Sequence, residues 1–391
     1  MNENWEYRRI GDICTVERGG SPRPIDSFIT DSDDGINWIK IGDADDTMYI
    51  TKTAQKIKPE GIKKSRYVRP GDFLLSNSMS FGKPYILKIS GCIHDGWLVL
   101  RDEECLFDKR FLYFYLSSPS TYNQFKTMAV GGVVNNLNSE MVRNVEIPIP
   151  NMEEQLEIVK ILEKLQSLIV ARKQQLSDFD TLIKARFVEM FGDPEMNPKG
   201  WQEVRLLELL DVVGGYAFKS DLFLEKGIPV LRIGNINAGF FQPVNMVYWE
   251  EDEKLDRYKM FPGDLVMSLT GTVGKEDYGN VCILGNDYDS YYLNQRNAKL
   301  EIRKNLDKYY LSELLKFSAI KKRLTGISRG VRQANISNKD ILNLQVPIPG
   351  IKEQEQFAAF VNQSDKSKLA VQQSLEKTQE LFDSLMQKYF G

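Results

Sequence analysis

Two loops have the residue types that hold anions. Ser76–Lys83 (SNSMSFGK) and Ser268–Lys275 (SLTGTVGK) each join small hydroxyl residues, a glycine and a terminal lysine behind a strand-like run. That set suits a phosphate contact, which makes Asn77, Lys83, Thr270 and Lys275 candidates. Neither loop is a nucleotide-binding P-loop: the first glycine is missing and no Ser or Thr follows the lysine. The alternative is a tight hairpin with a solvated lysine. A second pair of loops is Gly131–Asn138 (GGVVNNLN) and Arg329–Ser337 (RGVRQANIS). Glycine permits close backbone approach, and Arg, Gln and Asn can pair with base edges or phosphates. Asn136, Arg329, Arg332, Gln333 and Asn335 are the candidates there. A third pair is Gly19-Gly20-Ser21-Pro22-Arg23-Pro24 against Gly214-Gly215-Tyr216-Ala217-Phe218-Lys219, offering Ser21, Arg23 and Lys219. Asn294-Gln295-Arg296-Asn297, with Arg296 as its candidate, has no evident counterpart in the first half.

Much chemistry is excluded. His94 is the single histidine of 391 residues, which removes Ser-His-Asp, Cys-His and multi-histidine metal sites. Cys14, Cys92, Cys105 and Cys282 are widely spaced, without a CxxC pair, and read as free thiols. Dinucleotide-binding, helicase and adenine-methylation motifs are absent. Asp31, Asp33, Asp34, Asp43, Asp45 and Asp46 read as a solvated acidic loop, not a cation site. Formal net charge is −3, so any nucleic-acid surface must come from local clustering. Such clustering exists. No acidic residue occurs from Lys109 to Ser139 or from Leu314 to Asn338, and Lys52 to Arg69 holds seven basic residues against Glu60 alone. The chain lacks an apolar leader and any run long enough to span a bilayer, so a cytoplasmic protein is expected.

The elements that must position these loops are repeated. Ile147-Pro148-Ile149-Pro150 recurs as Val346-Pro347-Ile348-Pro349 at an offset of 199, with Glu154-Gln155 matched by Glu353-Gln354 and Phe191-Gly192 by Phe390-Gly391. Behind each motif lies one long helix. Asn151 caps the first, and Gly192 with Pro194 stops it. Ile158, Leu162, Leu165, Ile169, Leu176, Phe179 and Ile183 form a heptad seam with Arg172 and Arg186 in it. The second seam holds Phe357, Val361, Val371, Leu375, Phe382, Leu385 and Tyr389, weakened by Ser364, Lys368 and Thr378. Residues 1–146 and 193–345 echo each other through Pro70-Gly71-Asp72 and Pro262-Gly263-Asp264, and through Asp108-Lys109 and Asp307-Lys308. Strand-like runs (37–41, 73–76, 97–101, 230–233, 265–269, 299–302) precede a helix in each half, at 110–116 and 309–324. The expected fold is α+β and duplicated: a domain 1–146, a helix 147–192, a domain 193–345 and a helix 346–391. Short linkers favour antiparallel helices, since a helix of this length spans roughly 60 Å. That arrangement gives a two-ended molecule with an internal pseudo-two-fold.

With these motifs in hand, the chain resembles the specificity subunits of type I restriction–modification enzymes over essentially its whole length. The duplicated IPIP…EEQ…helix…FG unit carries the resemblance, and GGSPRP, RPGD and GTVGK add to it. The first half departs by lacking the Arg-Gln pair of Arg332-Gln333. The resemblance implies that each globular half is a target recognition domain reading one half of a bipartite, asymmetric double-stranded DNA site. The helices then set the spacer. It also implies that this chain performs no catalysis and binds no cofactor. Methyltransferase subunits, two of them, and a restriction subunit are the implied partners, and they carry S-adenosylmethionine and ATP with magnesium. The competing reading is a coiled-coil scaffold whose globular ends bind proteins.

Overall fold

The computed structural model describes residues 5–77, 81–129, 136–272, 277–303, 305–326 and 333–391, with the backbone alone at 129 and 333. Two compact units emerge, Met1–Lys173 with Gln373–Gly391, and Gln174–Gln372. Each contains one α+β domain, the start of one long helix and the end of the other.

In the first unit, strands order as Thr15–Arg18, Trp97–Arg101, Phe73–Ser76, Pro84–Leu87, Tyr49–Ile50 in one sheet. A second sheet orders Ile29–Thr30, Gln55–Ile57, Ile36–Ile39, Gly91–Ile93, Arg66–Val68. The second unit repeats four strands of each: Leu210–Gly214, Asn297–Ile302, Leu265–Ser268, Val281–Ile283, and Val247–Trp249, Ile228–Leu231, Tyr291–Leu293, Lys259–Met260. Strand Phe73–Ser76 is apolar on both faces because both are covered. Phe73 and Leu75 pack toward the helices, while Leu74 packs with Tyr85, Trp97 and Val99. Burial pushes the thiols of Cys14 and Cys282 up to about 12, which leaves them unreactive core groups.

The Pro-rich motifs are strands. Glu146–Ile149 pairs antiparallel with Glu6–Arg9, and Gln345–Ile348 with Gln202–Arg205; both are two-stranded, so Pro148 and Pro347 remove no ladder bond from a central strand. The first residues of the 147–192 segment thus complete a domain sheet before the helix begins.

The long helices run Met152–Phe191 and Ile351–Phe390, 40 residues each. Asn151 Oδ1 accepts from the Glu154 amide at 3.0 Å, as a cap should. Gly192 ends the first helix at φ +82°, and a Cβ there would lie 2.5 Å from Pro198. Within each unit the helices are antiparallel. Ile158 and Leu162 share a core with Met386 and Phe390 in the first unit, as Ile183, Phe187 and Phe191 do with Phe357 and Val361 in the second.

Four of the polar seam positions have partners. Arg172 Nη1 donates to the Ser374 carbonyl at 3.0 Å and to the Thr378 hydroxyl. Lys368 pairs with Asp180 at 2.6 Å. Arg186 pairs with Glu189 at 2.8 Å and lies over the Phe360 ring. Thr378 also donates to Ser374 O at 2.7 Å, so it keeps a partner without Arg172. Arg172→Leu is therefore expected to leave stability within about 1 kcal/mol of the parent in urea denaturation, since no buried polar group is orphaned. A loss above about 3 kcal/mol would show that Arg172 is structurally required.

The helix expected over 309–324 is in fact two, Lys308–Lys316 and Ser318–Thr325. Phe317 leaves helical geometry (φ −64°, ψ 130°) and packs its half-buried ring 4.9 Å from Phe187. The first unit has the same break, where Lys109–Leu116 gives way to a further helix, Pro119–Ala129, that the sequence reading did not include. Proline marks the break there; nothing in the sequence marks it at Phe317.

Candidate nucleic-acid interface

The candidate loops gather at one edge of each domain, and one turn organises each edge. In the first domain it is His94-Asp95-Gly96, between strands Gly91–Ile93 and Trp97–Arg101. The Gly96 amide donates to His94 Nδ1 at 2.9 Å, and His94 Nε2 lies 2.9 Å from Asp95 Oδ1. The single histidine is thus a turn-holder, its Nδ1 facing the Gly96 amide and its Nε2 facing the Asp95 carboxylate. Asp95 Oδ1 also accepts from the Ser21 hydroxyl at 2.9 Å. Burial pushes the Asp95 carboxyl up, but Ser21, His94 and Arg18 outweigh it and hold it below its ordinary range.

The second domain builds the same turn from Asn294-Gln295-Arg296. The Arg296 amide donates to Asn294 Oδ1 at 3.2 Å, where Gly96 used His94. Strand register fixes the equivalence: Trp97 pairs with Ser76, and Asn297 with Ser268. The cluster that lacked a counterpart therefore has one, at an offset of 200. It was hidden because no side chain is shared.

Backbone hydrogen bonds then tie the other loops on. Asn77 N donates to Gly96 O (2.9 Å) and Leu137 N to Asn77 O (3.0 Å); Leu269 N donates to Arg296 O (2.8 Å) and Ile336 N to Leu269 O (2.8 Å). The Gly-Gly loops dock by Gly20 N to Ile93 O (3.1 Å) and Tyr216 N to Leu293 O (2.8 Å). A Cβ on Gly19 or Gly215 would sit 2.2 Å from the carbonyl oxygen of His94 or Asn294, so only glycine fits either place. This corrects the pairing read from sequence by one residue: Gly19 matches Gly215, not Gly214, and hence Arg23 matches Lys219.

The structure thus brings Ser21, Arg23, Asn77 and Asn136 together at one edge, and Thr270, Arg296, Asn335 and the Gln333 backbone at the other. Lys219 lies three residues beyond the docked Tyr216. Thr270–Thr272 and Gln333–Asn335 form an antiparallel ribbon with Thr270 opposite Asn335. Arg23, Asn136, Lys219, Arg296 and Asn335 are exposed. Asn77 is not: it is buried, and its Nδ2 donates to Asp95 O at 2.8 Å, so its amide holds the turn and does not face outward. Lys83 is drawn to the acidic loop, 3.2 Å from Asp46. In that loop Asp43 accepts from the Lys40 and Ala54 amides, and Asp45 from Thr47. Thr270 Oγ1 is buried without a partner among the described residues. Lys275, Arg329 and Arg332 lie outside the described residues, as does the side chain of Gln333. Asp95 joins the edge from outside the candidate loops, whereas Gln295 and Tyr216 lie within them without having been singled out. Counting back from the paired strands 97–101 and 299–302 was the available signal.

Two α+β domains with matched sheets, matched loop edges and unlike side chains on those edges, each followed by a long helix, define a duplicated recognition protein. The chain belongs to the type I restriction modification DNA specificity domain family, whose model matches residues 2–178 and 198–381. It is similar to the specificity subunit of the type I restriction enzyme MjaVIII of Methanocaldococcus jannaschii, 24% identical over 381 residues and covering 93% of this chain and 86% of that one. It is likewise similar to the EcoKI specificity subunit of Escherichia coli, 24% identical over 424 residues, covering 100% and 89%. Among solved structures, the type I restriction–modification S subunit from M. genitalium superposes with a TM-score of 0.57 at 17% identity, covering 100% of this chain and 97% of that one. A chain from a study of type I R-M complex assembly and conformational transition gives 0.58 at 19% identity, covering 100% and 98%. The comparisons do not support the protein-binding scaffold reading.

Proposed function

We propose that this chain is the specificity subunit of a type I restriction–modification system, without catalysis of its own. Each domain edge reads one half of a bipartite asymmetric double-stranded DNA site, and the paired helices set the spacer. The observation that carries this reading is the pair of edges: the same backbone bonds hold His94-Asp95-Gly96 and Asn294-Gln295-Arg296, yet no side chain is shared. A conserved frame with unlike residues on it is what two different half-sites require. Methyltransferase subunits, two per chain, and a restriction subunit are the partners we assign, with S-adenosylmethionine and ATP/Mg on them and none on this chain. No helix among the described residues is long and apolar enough to cross a membrane, and we place the protein in the cytoplasm with its DNA.

Selection from a randomised duplex pool, with and without a type I methyltransferase subunit, tests the reading. The expected product is two short fixed blocks of different sequence separated by an unselected stretch of constant length. Binding should weaken steeply with salt. Recovery of a single block, or of no sequence preference with the partner present, would sink it.

A further inference from the structure

We propose that Arg23, steered by Asp95, reads a guanine edge in the first domain's half-site, whereas its counterpart Lys219 makes a phosphate contact only. This rests on the two domains being DNA-reading heads.

The two positions are equivalent in the fold. Both lie four residues past the glycine wedged against the turn, and both follow a buried anchor. Pro22 is buried beside Gly61; Phe218 is 7% exposed and packs 5.1 Å from Trp249 and 5.6 Å from Tyr292. The anchored loop pushes residue 23 or 219 outward, and the Arg23 side chain is 83% exposed.

What faces the two cations differs. Arg23 Nη2 lies 3.7 Å from Asp95 Oδ2, and Asp95 is itself fixed by Ser21 and His94. At the equivalent place the second domain has the neutral Gln295. A carboxylate beside a cation cancels much of its field and repels a phosphate, so Arg23 is poorly suited to the backbone. The same carboxylate restricts the guanidinium, and Pro22 and Pro24 restrict the chain on either side of it, so less freedom is lost on binding. A planar fork drawn toward that carboxylate matches the O6 and N7 acceptors of guanine, whose bidentate contact with arginine is the commonest specific one. Lys219, a point charge with Gln295 where the first domain has Asp95, suits a phosphate oxygen.

The test uses the full chain with its methyltransferase subunits and the duplex selected from the pool, plus a set of duplexes each altered at one base pair. Arg23→Lys is expected to bind the selected duplex about 10-fold or more weakly and to lose discrimination at one G·C pair of one half-site, with the other positions unchanged. Asp95→Asn, which keeps the Ser21 contact, should flatten the same pair. Lys219→Ala should weaken every duplex by a similar factor and lower the slope of log K against log salt by about one. If Arg23→Lys or Asp95→Asn instead weakens all duplexes alike, or leaves every discrimination intact, the assignment of Arg23 is overturned while DNA reading stands. If the parent complex discriminates no base pair at all, DNA reading fails and this inference with it.

Discussion

Gln354→Leu should cost the second unit about 2–6 kcal/mol, though it replaces one amide by an apolar group of similar size. Gln354 is fully buried. Its Oε1 accepts from the Asp307 amide at 2.8 Å, and its Nε2 donates to Pro349 O at 2.9 Å and Asn305 O at 3.5 Å. Leucine takes the partner from the half-buried Asp307 amide and the buried Pro349 carbonyl, at about 1–3 kcal/mol each. The damage spreads because Asp307 is the N-cap of Lys308–Lys316, accepting from Tyr309 N at 2.7 Å. Gln155 does the same for Asp108, at 2.8 Å, with Leu106 O and Pro150 O. Hydrogen exchange of the Lys308–Lys316 amides checks this against Gln363→Leu, an exposed position on the same helix where the change should stay within about 0.5 kcal/mol. Equal exchange in the two variants would refute the clamp.

Phe390→Ala is the second large effect, expected at about 3–5 kcal/mol in the first unit. Phe390 is the penultimate residue of the sequence, yet it is 5% exposed and packs 5.5 Å from Phe111 and 5.8 Å from Tyr115. Phe191 holds the matching place in the second unit, 4.9 Å from Tyr310 and 5.5 Å from Phe357. Alanine removes a ring from that core and leaves a cavity among Phe111, Tyr115 and their neighbours. Chemical denaturation followed by exchange at Lys109–Leu116 reads the loss. Exchange there as slow as in the parent would mean that the end of the helix is not part of that core.

These two residues also show what the sequence made legible. Three of the repeated motifs prove to be frame. The Gln of Glu-Gln grips the cap of a domain helix, and the Lys of Asp-Lys donates to the glycine carbonyl of the Pro-Gly-Asp turn (Lys109 to Gly71, Lys308 to Gly263). The Phe of Phe-Gly closes a core. Frame repeats because both domains solve the same packing problem, so the α+β class, the duplication and the antiparallel helices could be read from it. The edge that we assign to DNA reading does not repeat in its side chains, as two different half-sites would require. His94-Asp95-Gly96 and Asn294-Gln295-Arg296 share backbone bonds that composition does not record, and their equivalence is visible only through strand register. Asn77 misled for a related reason. An amide suited to a base edge is equally suited to holding a turn, and burial decided between them.

The two units also differ in how the chain supplies them. The second is one unbroken stretch, Gln174–Gln372, whereas the first is interrupted and is completed only by Gln373–Gly391. During synthesis the second unit can therefore close on itself as soon as it has emerged. The first must wait, with the apolar surface of Phe111 and Tyr115 that Phe390 later covers open to solvent for the whole time the ribosome spends on the second. Until its last helical turn emerges, the nascent chain shows apolar surface that the folded protein buries.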